Sequence, residues 1–371
     1  MSSASLPDFP DSDRAAMPAG WQDSLRRFGA DDAAVASIEA AADRAGPAVP
    51  GRVARAEHSL VTVLTPAGPA RVGLPGREQA CAGDYVLISP AEPVVAEVLS
   101  RRSQLVRHAA GHRTEPQTLA ANMDDVFVTV AADHDLPLPR IERFLALVWE
   151  SGAMPVVVLT KSDLLPPGAA EPLLTTAAAV APGADVHLVS AVTGDGVGDL
   201  AGRLGPGRTA ALIGSSGAGK SSLLNALAGA DVAATMQVRD ADGKGRHKTA
   251  WRELVVLGRG GAVIDTPGLR GLGMWLDETG LDTVFADIAE LARGCRFSDC
   301  QHQSEPGCAV TAAIEAGTLE ARRLASYRKL EREAAYVARK ADPRAARAQA
   351  RAWHAMTREA RARTRRRPRS S

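Results

Sequence analysis

The stretch Ala211-Leu-Ile-Gly-Ser-Ser-Gly-Ala-Gly-Lys-Ser-Ser-Leu-Leu-Asn-Ala-Leu-Ala228 contains G-x-x-x-x-G-K-S from Gly214 to Ser221. An apolar run from Ala210 to Ile213 leads into it, and Leu223, Leu224 and Leu227 follow at helical spacing. Strand, glycine-rich turn and helix are the context in which this pattern acts as a phosphate-binding loop. Gly214, Gly217 and Gly219 permit backbone angles that a Cβ would forbid. The backbone of Gly214, Ser215, Ser216, Gly217, Ala218, Gly219, Lys220, Ser221 and Ser222 then converges on phosphate oxygens at a helix N-terminus. Lys220 is expected to reach the β- and γ-phosphates, and the Ser221 hydroxyl to ligate Mg²⁺. The stretch predicts a nucleoside triphosphate site.

Upstream, from Met123 to Ser190, continuous Val/Leu runs alternate with helical patterns. Val126–Ala131, Pro155–Thr160 and Val186–Val189 read as strands, and Pro139–Ser151 and Pro172–Val180 as helices, which predicts a parallel sheet covered on both faces. The second strand ends in Thr160-Lys161-Ser162-Asp163 and the third in Ser190-Ala191. Loops at the carboxyl ends of parallel strands are where such sheets hold ligands. A carboxylate there can accept from guanine N1–H and the N2 amine, so Asp163 is a candidate base reader with the Lys161 stem along the ring. An ordinary Asp after a strand is the alternative for this tetrapeptide taken alone.

Downstream, 231–249 is rich in Gly, Asp, Lys and Arg without periodicity and reads as a loop. Glu253–Leu257 and Gly261–Ile264 read as strands, the second running into Asp265-Thr-Pro-Gly268. Asp265 belongs on the Mg²⁺ side of the phosphates, and the Gly268 N–H can bond the γ-phosphate. Loss of that phosphate would release the loop. Leu269 follows, where Ras-like enzymes carry a water-orienting Gln, so unassisted hydrolysis should be slow.

Two flanking modules complete the chain. Between Gly51 and Val106, five short alternating runs broken by turn residues predict an OB-fold barrel, or another small β-domain. Tyr85 is its single aromatic, giving little for base stacking, and Cys81 reads as barrel filling. Cys295, Cys300, His302 and Cys308 place three thiols and an imidazole within fourteen residues. They can close a tetrahedral Cys₃His zinc site, with chance clustering of reduced cysteines as the alternative. A helical pattern follows to Tyr336, then an Arg-rich run to Arg369. Domain boundaries are placed at 1–50 (a flexible leader with short helices near 21–28 and 33–44), 51–110 (OB-fold), 111–275 (nucleotide domain), 276–340 (zinc-binding helical module) and 341–371 (basic tail).

Across 371 residues the formal net charge is +1, but residues 319–371 carry 17 Lys/Arg against 5 Asp/Glu, a net of +12 that leaves the remainder at −11. A basic tail on an acidic body predicts a polyanionic partner. No apolar run reaches the roughly 18 residues of a membrane span. The acidic, Pro/Ser-rich first twenty residues lack the apolar core of a secretion signal, and four Cys in this length do not build a disulfide framework. A cytoplasmic location is expected.

The motif order, base reader before phosphate loop before Asp-Thr-Pro-Gly, is that of a small GTPase cut and rejoined. Together with Gln117–Asp124, Gly245–Thr249 and the Cys/Cys/His/Cys set, it resembles the RsgA (YjeQ) family of circularly permuted GTPases that act in assembly of the small ribosomal subunit. The resemblance spans about Gly51 to Tyr336. It implies an OB-fold, a permuted GTPase domain and a zinc module. It also implies subunit-stimulated hydrolysis of GTP to GDP, with Mg²⁺ and one structural Zn²⁺, by a monomer whose OB-fold and zinc module grip ribosomal RNA near the decoding region. His247 is similar to the family's proposed catalytic His. Two positions depart from the pattern. Thr160 stands where Asn is usual, which weakens one brace of the base loop and bears on how tightly guanine is held. A usual Thr triplet is reduced to Thr249, leaving that residue as the candidate Mg²⁺ ligand there. The rival readings are a P-loop ATPase acting on nucleic acid, and an RNA-binding module gated by nucleotide with incidental turnover.

Overall fold

The computed structural model describes residues 18–57, 59–75, 80–108, 116–132, 136–229, 252–266, 278–303 and 305–341. The chain divides into two compact units, one holding a barrel and a six-stranded sheet, the other the C-terminal helices. Among the described residues no helix is long and apolar enough to cross a membrane.

The five expected barrel strands form as β1 (Val49–Glu57), β2 (Leu60–Thr65), β3 (Gly68–Gly73), β4 (Tyr85–Ile88) and β5 (Val95–Val98). They pair antiparallel in the order β3-β2-β1-β4-β5. A parallel bridge from Gly73 to Val94 joins the outer strands and closes the barrel, the OB-fold arrangement. Alternation on the strands turns Val53, Val61, Val63, Val72 and Val86 inward. Tyr85 is only 3% exposed, with the Arg52 guanidinium 4.8 Å from its ring centroid, so it offers no face to a base.

The two short helices expected near 21–28 and 33–44 form, and they pack against the barrel instead of belonging to a flexible leader. Helices α1 (Trp21–Arg27) and α2 (Asp32–Ala45) fold there, the second capped by Asp31 accepting from the Ala34 N–H at 2.8 Å. Trp21, Leu25, Val35, Ile38 and Ala42 share one core with Tyr85, Leu87 and Leu99 of the barrel. Apolar residues three and four apart on alanine-rich helices are enough to bury a stripe, although the segment lacks the β-branched density that marks a core. Residues 1–17 lie outside the described part of the chain.

Arg52 joins this N-terminal layer to the sheet. Its side chain is fully buried and donates to the carbonyls of Phe28, of Gly83 (3.3 Å) and of Asn122 (3.0 Å), and to the Thr209 hydroxyl at 2.7 Å. Burial lowers its pKa, and these four bonds, all to neutral oxygens, compensate the lost water. After β5 comes a two-stranded sheet, β6 (Gln104–His108) and β7 (Pro116–Ala121).

The α/β layer runs β8 (Asp125–Ala131), α3 (Leu138–Ser151), β9 (Met154–Thr160), α4 (Ala170–Ala179), β10 (Asp185–Leu188), α5 (Val197–Gly202), β11 (Thr209–Gly214), α6 (Lys220–Ala228), β12 (Glu253–Val256) and β13 (Ala262–Asp265). The sheet order is β10-β9-β8-β11-β13-β12, parallel except for the β12–β13 pair. Phe127, Val156, Val158 and Leu212 form one core with Val197 and Leu200 of α5 and Leu223 and Leu224 of α6. Their strand neighbours Val126, Val128 and Val157 point the other way and are also fully buried, and α3 packs over β8 and β9. The phosphate-loop strand β11 is central in space, although three sheet strands precede it in the chain. That is the permuted connectivity expected from motif order.

The second unit contains α7 (Glu278–Val284), α8 (Ala286–Ala292), α9 (Ala309–Glu315) and α10 (Ala321–Ala341). Phe285 at its centre meets the Tyr327 ring edge-on at 5.5 Å and the Arg323 guanidinium at 4.9 Å.

Candidate functional site

Parallel register places the ends of five strands along one edge of the sheet. Leu212 pairs with Asp265, Gly214 with Thr129, Ala131 with Thr160, and Leu159 with Leu188. The phosphate loop, the Thr160–Asp163 loop, the Ser190 loop and Asp265 therefore share that edge.

Gly214, Gly217 and Gly219 have φ of 148°, 80° and 82°, all in the region that favours glycine. A Cβ on Gly214 would stand 2.2 Å from the Thr129 carbonyl oxygen, so neighbouring β8 excludes a side chain there. The loop feeds α6, whose first N–H groups face the phosphate position. Lys220, first in that helix, folds back so that Nζ donates to the Gly214 and Ser215 carbonyls at 3.0 and 2.8 Å. Ser221 and Ser222 follow, both exposed, while Ala218 is buried. The Ser215 hydroxyl accepts from Arg140 of α3 at 2.9 Å. The sequence pattern does not single out Arg140; its one signal is a guanidinium in the first turn of the helix after β8.

Thr160 touches the phosphate loop directly. Its hydroxyl donates to the Ala218 carbonyl at 2.8 Å, with the Val130 carbonyl at 3.2 Å, and it is 2% exposed. The brace that Asn would have supplied is made by a shorter side chain. Lys161 has φ 63°, a left-handed turn that starts the short 3₁₀ segment Ser162–Leu164. The Ser162 N–H donates to the Val189 carbonyl at 3.1 Å, tying this loop to the next strand. The Ser190 hydroxyl donates to Asp163 Oδ1 at 2.6 Å and accepts from the N–H groups of Val192 and Thr193 at 3.2 and 3.1 Å. Ser190 thus orients the carboxylate. Ala191 follows with no side-chain donor of its own.

Asp265 ends β13. Its Oδ1 is buried with no hydrogen-bond partner among the described residues. Burial raises its pKa above the usual carboxylate value, against the opposing Lys220 charge and the Thr266 N–H. A half-used carboxylate beside a phosphate loop fits a divalent cation, and with the Ser221 hydroxyl it supplies the hard oxygen ligands Mg²⁺ takes. The Thr266 hydroxyl donates to the Leu212 carbonyl at 2.5 Å and pins this strand end to β11. His247, Thr249, Gly268 and Leu269 lie outside the described residues, as does the 231–249 loop.

In the second unit, one ligand atom from each of Cys295, Cys300, His302 and Cys308 lies within 4.8 Å of the others. Cys295 Sγ is 3.9 Å from Cys308 Sγ, and His302 Nδ1 is 3.6 and 3.5 Å from those two sulfurs. Tetrahedral zinc bonds of about 2.3 Å to sulfur and 2.0–2.1 Å to nitrogen imply edges of about 3.8 and 3.6 Å. Donor set and spacing are therefore compatible with zinc. Gly307 (φ 80°) and His302 (φ 58°) make the reversals that bring Cys308 back. Cys308 caps α9, its sulfur accepting from the Thr311 N–H at 3.4 Å. Burial alone would raise this thiol, but hydrogen bonds from Thr311, His302 and Cys300 bring it down to about 6. Cys81, by contrast, is buried in the barrel unit, and burial pushes its thiol well above the usual range.

Known proteins give the same picture. Residues 98–275 match the family model described as RsgA GTPase. A protein of Streptomyces avermitilis named small ribosomal subunit biogenesis GTPase RsgA is 46% identical over 93% of this chain and 92% of its own length. Its namesake in Streptomyces coelicolor is 48% identical over 80% of this chain and 83% of its own. The crystal structure of YjeQ from Thermotoga maritima superposes with a TM-score of 0.57 at 26% identity, over 77% of this chain and 98% of that one. That of YloQ, a circularly permuted GTPase, gives 0.52 at 26% identity over 77% and 95%. With a phosphate loop, two neighbouring strand-end loops and a buried carboxylate gathered on a sheet of permuted connectivity, this chain belongs to the RsgA family of GTP-hydrolysing enzymes.

Proposed function

We propose that this GTPase acts in late assembly of the small ribosomal subunit, that the subunit stimulates its hydrolysis of GTP, and that hydrolysis is coupled to release. The observation that carries the nucleotide half is the Thr160–Ala218 hydrogen bond of 2.8 Å, which makes base loop and phosphate loop one assembly. The names of the relatives support the ribosomal half. On this reading Asp163, held by Ser190, selects guanine, and Lys161 lies along the base. The backbone from Gly214 to Ser222 wraps the phosphates. Lys220 leaves its two carbonyl partners to neutralise the β- and γ-oxygens. Chemistry of this kind is mostly positioning and charge compensation.

Ser221 and Asp265 would hold Mg²⁺, with Thr249 as a further ligand. Bound there, Mg²⁺ supplies charge for the phosphate oxygens as the γ-phosphoryl leaves. Gly268 would bond the γ-phosphate, and His247 would orient the attacking water once RNA docks its loop. Cys295, Cys300, His302 and Cys308 would hold one structural Zn²⁺. The protein would work as a cytoplasmic monomer, its basic tail adding RNA contact.

The test measures GTP turnover by wild type and His247→Ala with and without isolated small subunits. Stimulation of wild type alone is expected. No stimulation of wild type would overturn the subunit reading, and equal stimulation of both would remove His247 from the mechanism.

A further inference from the structure

Beside the Cys/His loop lies an open cleft of about 360 Å³ lined by Gln303, Ala325, Arg328 and Arg332. We infer that this cleft holds a backbone phosphate of single-stranded RNA, with the ring of Tyr336 as the platform for an adjacent base. This rests on the reading of the protein as an RNA-engaging factor and gives that contact an address.

The helix face is specified by spacing. Ala325, Arg328, Lys329, Arg332 and Tyr336 recur three and four residues apart on α10 and so share one side of it. Ala325 contributes only a methyl group, which leaves room for a ligand between Gln303 and the guanidinium groups. Arg328 is anchored: it donates to the His302 carbonyl and lies 3.5 Å from the Gln301 carbonyl, while its Nε is buried without a hydrogen-bond partner among the described residues. Arg332 is exposed, with Nε on the Arg328 carbonyl at 3.1 Å. Two guanidinium groups and an amide converging on one hollow suit an oxyanion, because the planar fork matches phosphate oxygens. Glu331, beside Arg332 in the chain, is turned to the Tyr327 hydroxyl at 3.3 Å.

Polynucleotide rather than a free small phosphate is favoured by the aromatic ring further along the same face. Tyr336 is 58% exposed and lies one turn, about 6 Å of rise, beyond Arg332. A basic groove followed by an exposed aromatic is how single strands are held without sequence preference. Residues 319–371 continue the excess at a net of +12.

The test uses the full-length protein with two probes: isolated small subunits, and a labelled oligouridine of about 20 nucleotides. Arg328 is left alone because it also supports the metal loop. Arg332→Gln should lower the slope of log K against log salt on oligouridine by about 0.7, the loss of one single-strand phosphate contact. Arg332→Lys should restore that slope with weaker binding. Tyr336→Ala should weaken binding about 5- to 100-fold at unchanged slope. Metal stoichiometry and melting temperature serve as folding controls. Wild-type affinity and slope in both Arg332→Gln and Tyr336→Ala would overturn the cleft while leaving the assembly function standing. Wild type that ignores subunits, yet binds oligouridine with an Arg332-dependent slope, would overturn the assembly function and keep the cleft. Binding of neither probe by wild type would overturn both. Displacement of oligouridine from wild type, but not from Arg332→Gln, by submillimolar inorganic phosphate would make this a small-anion site and refute the RNA assignment.

Discussion

Replacing Thr160 by Val isolates one hydroxyl on which the nucleotide site depends. Val keeps the shape and β-branching of Thr, so β9 retains its packing, and the residue is only 2% exposed, so water cannot replace the lost donor. The Ala218 carbonyl, 2.8 Å from the hydroxyl, would lose that bond inside the phosphate loop. A buried polar group stripped of its partner costs about 1–3 kcal/mol. If the loop relaxes to recover water, that cost appears as lost nucleotide affinity, about 5- to 150-fold at 1.4 kcal/mol per decade. GTP and GDP should weaken together, and preference for guanine over adenine should persist, because Asp163 and Ser190 are untouched. The assay is fluorescence titration of both nucleotides against wild type, Thr160→Val and Thr160→Ser, with thermal melting in parallel. Ser keeps the hydroxyl and should stay close to wild type. Affinity of Thr160→Val within twofold of wild type would show that the hydroxyl does not brace the loop.

Asp163→Asn should trade guanine for xanthine preference, while Ser190→Ala, which frees the carboxylate from its 2.6 Å bond, should weaken GTP about tenfold in the same titration. Asp265 carries a pH signature. Burial raises its pKa above the ordinary 3.8 despite the opposing Lys220 charge and Thr266 N–H, so the fold favours the protonated form. That contribution is complete below the unfolded value and is lost as pH rises through the folded one. Nucleotide-free Asp265→Asn should therefore melt above wild type at neutral pH, the gap closing as pH falls to about 4, whereas Mg²⁺–GTP should stabilise wild type far more than the variant. Equal melting at all pH values would refute this. The purified protein should contain one equivalent of zinc, and stripping it should melt the C-terminal unit first; less than one equivalent, with Cys300→Ser folding normally, would sink the metal assignment.

Much of this architecture could be read from residue pattern, for physical reasons that differ by element. The barrel strands announce themselves because one face is wet and one dry, so Leu60–Thr65 alternates plainly. The strands β8, β9 and β11 announce themselves by lacking alternation, being covered on both faces. The Cys/His cluster is legible because its ligands are close in sequence. The hidden features depend on contacts across long sequence distances. Thr160 reads as a weakened brace, and only its proximity to Ala218, 58 residues away, shows the bond it makes. Ser190 suggests a base contact, while its hold on Asp163 spans 27 residues of sequence and leaves no local pattern. The helices at 21–45 are easily undervalued because alanine buries area without raising apolar density, and their partners lie in the barrel.

Arg52 also constrains how the chain can be made. Its partners are 24, 31, 70 and 157 residues further on or back, and the last of them, Thr209, opens the phosphate-loop strand. At synthesis rates of about 5–20 residues per second, that final hydroxyl arrives about 10 to 30 s after the guanidinium. Through that interval the guanidinium lacks the last of its four hydrogen-bond acceptors. The N-terminal half should therefore mature only when the nucleotide half has been translated, which makes the two a single folding event rather than beads on a string.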